Sequence, residues 1–124
     1  MSGEVLLWIG SMIPLLWGIA HLVPTRSVVA GFGTLSQDNR RIITMEWIAE
    51  GLALCFIGLL GILLAIVGAA NPVAIAVYRA LAAMLVVMAG LSAMTGARTS
   101  ILPMKVCPFV KVIAATLIFA GTLV

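Results

Sequence analysis

Four long apolar runs govern what this chain can fold into: about Val5–Val23, Ile42–Val67, Val73–Met94 and Cys107–Val124. A helix rising about 1.5 Å per residue crosses the hydrocarbon core of a bilayer in roughly 17–25 apolar residues. Runs one and three match that length, run two exceeds it, and run four is short. Of the 124 residues 64% are hydrophobic and 9% charged. A water-soluble domain of this size has too little interior to hide so much apolar surface. Inside lipid the backbone must satisfy its own hydrogen bonds, so each run is expected to be helical. The reading is all-α: one integral membrane domain over 1–124, a four-helix transmembrane bundle with helices near 5–23, 37–67, 72–95 and 107–124.

Local signals refine the ends. Ser36 is placed to cap the second helix, and Asp38 favours the positive end of its dipole. Pro72 suits the first turn of the third helix, after a tight connection over Gly68-Ala-Ala-Asn71. Pro103 and Pro108 predict an angular entry to the fourth helix. Pro14 falls inside the first and predicts a kink. Gly51, Gly58, Gly61 and Gly68 on the second helix, and Ala89, Ala93 and Ala97 on the third, form small-residue rows. Such rows let membrane helices approach closely, within one bundle or across a homodimer.

The net charge of +3 is no signature of nucleic-acid binding. The basic residues are few and flank apolar runs instead of forming a stripe. Arg26, Arg40 and Arg41 lie by the first connection, and Arg98, Lys105 and Lys111 in or beside the third. The positive-inside rule then puts both connections in the cytoplasm and both termini outside a cell membrane. Glu4, with no basic residue before the first run, argues against a cleaved signal peptide. Cys55 and Cys107 belong to different depths, which predicts free thiols.

Ionisable groups inside a membrane cost free energy and need a reason to be there. The sequence offers His21, Glu46, Glu50 and Arg79. Glu46 and Glu50 are one turn apart and share a helix face, with Asn39 near the same stripe. Two carboxylates so close in a low dielectric resist ionising together, so the deeper Glu50 is expected to hold a proton. His21, the only histidine, is expected at the level of Glu46, with Trp17 on its own face. The candidate site is thus His21, Glu46 and Glu50 as acid–base groups, with Trp17, Asn39, Trp47 and Arg98 as ligand-binding neighbours. The structural alternatives stay open: Glu46 paired with Arg98, Glu50 with Arg79, His21 in a local hydrogen bond. Metal ligation fits by residue type but has no HxxH or ExxH spacing behind it, and no motif names a cofactor. The connection Pro24–Arg41 carries Val28, Val29, Phe32 and Leu35, and is expected to lie on the interface or cover the polar site.

The layout resembles the small four-helix membrane proteins grouped as DoxX-like. The likeness lies in chain length, helix number, the Gly18-Ile-Ala-His21 patch ending the first helix, and a long connection before a carboxylate-bearing helix. It implies quinone-linked redox chemistry and assigns no residue. From the residues themselves, the expected function is binding of a small apolar ligand, or acid–base chemistry on it, in a polar pocket near the cytoplasmic face. Proton-coupled transport and a structural role in a larger complex are the alternatives.

Overall fold

A computed structural model describes residues 2–68 and 71–124. The order is α1 (Gly3–Leu22), α2 (Thr25–Gly31), α3 (Gln37–Ile66), α4 (Pro72–Met94), a 3₁₀ turn (Gly96–Arg98) and α5 (Leu102–Gly121). Among the described residues there is no strand. Four helices are long and apolar enough to cross a membrane, and their outer faces carry large apolar side chains such as Phe56, Val87 and Phe109. The chain is built as a multi-pass membrane protein. Its apolar exterior is what a lipid solvent requires.

Helix ends follow local chemistry. Ser36 Oγ accepts from the Asn39 amide at 3.2 Å and starts α3. Asn71 Oδ1 accepts from the Ala74 amide at 2.9 Å and starts α4, with Pro72 at its first position. Gly68 has φ +66°, a left-handed conformation that glycine adopts without strain. The tight connection expected over Gly68–Asn71 includes Ala69 and Ala70, which lie outside the described residues.

Two expectations change. α5 begins at Leu102, not Cys107, and runs through Pro108 for 20 residues. Pro103 sits in its first turn, where a missing N–H costs nothing, so the fourth span is full-length. The first connection is half helix: α2 occupies Thr25–Gly31 and buries Val29.

α1 packs against α3 and α5, and α4 against α5, while α3 and α4 touch only sparsely. The α1–α3 seam is closed by glycine. A Cβ on Gly18 would stand 2.8 Å from the Cys55 backbone nitrogen. One on Gly58 would stand 2.6 Å from Leu15 N and 2.7 Å from Ser11 O. Real side chains do not come that near a backbone, so these positions set the interhelical distance. Ser11 Oγ is buried at the seam beside Gly61 without a hydrogen-bond partner among the described residues. The core proper gathers Leu54 and Ile57 of α3, Tyr78, Leu81, Leu85 and Met88 of α4, and Ala114, Ala115 and Ile118 of α5. Tyr78 Oη donates to Gly61 O at 3.0 Å and ties α4 to α3 deep in the bundle.

Candidate functional site

The polar site forms where the first and third connections lie, here called the basic end. Its centre is a pair that the sequence reading did not assemble: Lys111 Nζ meets Glu50 Oε1 at 2.5 Å. Lys111 is 1% exposed and the Glu50 side chain 36%. Lys111 also donates to Ser92 Oγ at 2.6 Å, and Ser92 donates onward to Met88 O at 2.9 Å. Cys107 Sγ lies 3.9 Å from the same hydroxyl. Three helices therefore contribute to one cluster: Glu50 from α3, Ser92 from α4, and Cys107 and Lys111 from α5.

The buried ammonium explains Glu50. A charge in a low-dielectric interior persists only with a counter-charge and further hydrogen bonds. Lys111 has both, in the Glu50 carboxylate and the Ser92 hydroxyl. This corrects the alternative pairing of Glu50 with Arg79. Arg79 lies at the opposite end of the bundle. Its Nε donates to Thr122 Oγ1 at 3.2 Å, and its guanidinium lies 5.7 Å from the Phe119 ring centroid. There it faces the carbonyl end of α5, where a cation is favoured by the helix dipole.

His21 joins the site from α1 and is buried. Its Nε2 lies 3.1 Å from the Trp47 carbonyl oxygen and must carry the proton to donate there. The same nitrogen is 4.0 Å from Glu50 Oε2. Trp47 Nε1 donates back to His21 O at 2.9 Å, and the rings stack with centroids 3.8 Å apart. This reciprocal clasp fixes the end of α1 on α3.

Two spaces meet at Glu50. A cavity of about 100 Å³ is lined by His21, Glu50, Ser92, Thr95, Met104 and Cys107 and lies toward the third connection. A groove of about 490 Å³ runs between α3 and α4, with Phe32, Glu46, Trp47, Glu50, Met84 and Met88 in its walls. Glu50 and Leu91 belong to both spaces and form the partition between them. The groove exists because α3 and α4 scarcely touch at this end.

Of the residues expected in the site, His21, Trp47 and Glu50 converge. Glu46 is exposed in the groove wall and forms no ion pair among the described residues, so the Glu46–Arg98 pairing is not made. Arg98 is exposed on the 3₁₀ turn, and Asn39 is exposed in the first turn of α3. Trp17 packs against the apolar core and lines neither space. Among the described residues no three histidine, cysteine or acidic side chains could hold a metal ion together. Both cysteines are free.

No family model, curated protein or solved structure matches the chain. The site therefore has to be read from its own geometry. The missed residue was legible in part. Lys111 falls four positions inside the fourth apolar run, where an ionisable group needs a partner. With the helix starting at Cys107 it falls at the membrane edge, as an orientation charge; the helix starts five residues earlier, at Leu102, and carries it inside. Ser92 had no signal of its own; a serine in a membrane helix gains meaning only from its neighbour.

Proposed function

We propose that the protein binds a small amphiphile in the α3–α4 groove, its apolar body against Met84 and Met88 and its polar head at Glu50. One observation carries this reading: Glu50, anchored by a buried lysine, is the shared wall of a lipid-side groove and a polar cavity at the basic end. A purely structural ion pair gains nothing from an open face on one partner. Ligand sites are typically concave, mostly apolar and about 300–1,000 Å³, with few polar groups fixing orientation. The groove fits that description and opens sideways, so the ligand enters from the membrane.

A second reading has its own support. Because Glu50 borders both spaces, a headgroup or a proton could pass from one to the other by a side-chain movement. This favours transfer across the partition, transport included, over simple storage. The basic residues of the first and third connections support a cytoplasmic position for that end, with both termini outside. An impermeant thiol reagent applied to intact cells should leave Ser27→Cys unlabelled in a background lacking Cys55 and Cys107; labelling there would reverse the orientation.

The binding reading is tested by native mass spectrometry of protein extracted in native lipid discs. Wild type should retain a small amphiphile, and Ala49→Phe, which fills the groove, should lose it. Equal retention by both proteins, or no retained mass in either, would overturn the proposal.

A further inference from the structure

We infer that the groove selects a lipophilic monocation: an amine or quaternary ammonium on an apolar body. The inference rests on the reading of the groove as a ligand site and names what that site takes.

Two carboxylates, Glu46 and Glu50, line the groove one turn apart. The cation that balances Glu50 does not line it, because Lys111 stands behind Glu50 and is 1% exposed. Lys111 neutralises one carboxylate and leaves the other. Glu46 has no basic partner among the described residues, and none of Arg26, Arg40, Arg41, Arg98 and Lys105 lines the groove. The space therefore holds one uncompensated negative charge at the mouth of an apolar slot. An anionic head placed there would meet that uncompensated carboxylate and be repelled. A neutral head leaves Glu46 unbalanced. A single positive charge closes the account and leaves the occupied groove neutral.

The walls agree. Phe32 and Trp47 line the groove with the carboxylates, Trp47 with one face stacked on His21, and aromatic faces attract cations, most strongly where water is excluded. Met84, Met88 and Leu91 continue the groove beyond them. Methionine side chains are flexible and polarizable and adapt to apolar bodies of different shape. Charge sets the selection, and the adaptable wall leaves the ligand's apolar shape loosely specified.

The test uses three probes with one tail: decyltrimethylammonium, decanol and decanoate, titrated calorimetrically into the full chain in neutral maltoside micelles. The expected order is ammonium tightest, decanol weaker, decanoate weakest. Glu46 is exposed and makes no side-chain hydrogen bond among the described residues, so its variants keep the fold. Glu46→Gln should weaken the ammonium by about threefold to fivefold and leave decanol within about twofold. Glu46→Lys should reverse the preference toward decanoate. Decanoate binding as tightly as the ammonium, or Glu46→Gln leaving the ammonium unchanged, overturns the cation selectivity. If decanol binds and charge makes no difference, the groove stands as an amphiphile site and only the selectivity fails. If none of the three binds, both readings fail.

Discussion

Helix α3 presents two faces of opposite character. Toward α1 it offers Gly51, Gly58 and Gly61: the Leu15 and Ser11 backbone comes against Gly58, and the Leu22 and Ser11 side chains fill the space at Gly51 and Gly61. Toward α4 it offers Glu46, Trp47, Ala49 and Glu50, and the helices stand apart at the basic end. The first face derives its stability from close backbone approach. The second derives none from contact and holds its polar groups through partners that reach in from elsewhere. One rigid element can therefore carry a site, because the seam supplies the fixity that the open face lacks. Polar groups placed on a helix are more precisely held than those on a loop.

The largest expected effect tests how the open face is kept in order. Glu50→Gln leaves Lys111 as a buried ammonium without its counter-charge. The cost is expected near the low end of about 3–5 kcal/mol, since Glu50 is itself half-exposed. It should appear as a lower melting temperature in micelles. Adding Lys111→Met should restore most of the loss, and adding Arg79→Gln should restore none. Rescue by the arginine change would mean that the pairing described here is wrong.

Next comes the seam. Gly58→Val puts a branched side chain against the backbone of Leu15 and Ser11, and overpacking of this kind costs about 1–3 kcal/mol. The comparison breaks if Gly58→Val melts with wild type while Ala49→Val, on the open face, does not.

A smaller loss is expected where the two faces are joined. Trp47→Phe keeps an aromatic ring beside His21 but removes the indole N–H that bonds His21 O. The expected destabilisation is about 1 kcal/mol, together with a loosened end of α1 read as faster amide exchange at His21 and Leu22. Unchanged exchange would show that the clasp does not hold α1. The smallest effect belongs to Met84→Ala, in the groove wall and half-exposed. It is expected within about 0.5 kcal/mol of wild type, because lipid already covers that face. A loss of core size there would mean that α3 and α4 close on each other in the membrane.

Some of this molecule was written in the order of its residues. The number of spans follows from run length and polarity, because a bilayer imposes one thickness on every helix. The starts of α3 and α4 follow from Ser36 and from Pro72, since capping and the missing proline N–H act within one turn. Depth alone put His21 at the level of Glu46; the bundle brings it to 4.0 Å from Glu50, one turn deeper. Depth along an axis is what a sequence encodes well in a membrane protein. Direction around the axis is another matter. Which residue of α5 faces Glu50 depends on how α5 is rotated against α3 and α4, and on where that helix begins. An error of five residues at Leu102 moved Lys111 from the membrane interior to its edge. The same blindness turned Trp17 into the core, whereas Asn39 and Arg98 lie beyond the site along the axis, in the first turn of α3 and on the 3₁₀ turn. The openness of the α3–α4 face is likewise tertiary, because it comes from α1 and α5 taking the packing contacts that α4 would otherwise have made with α3. Local chemistry sets where a helix starts and how far it reaches; only the assembled bundle sets which way each side chain turns.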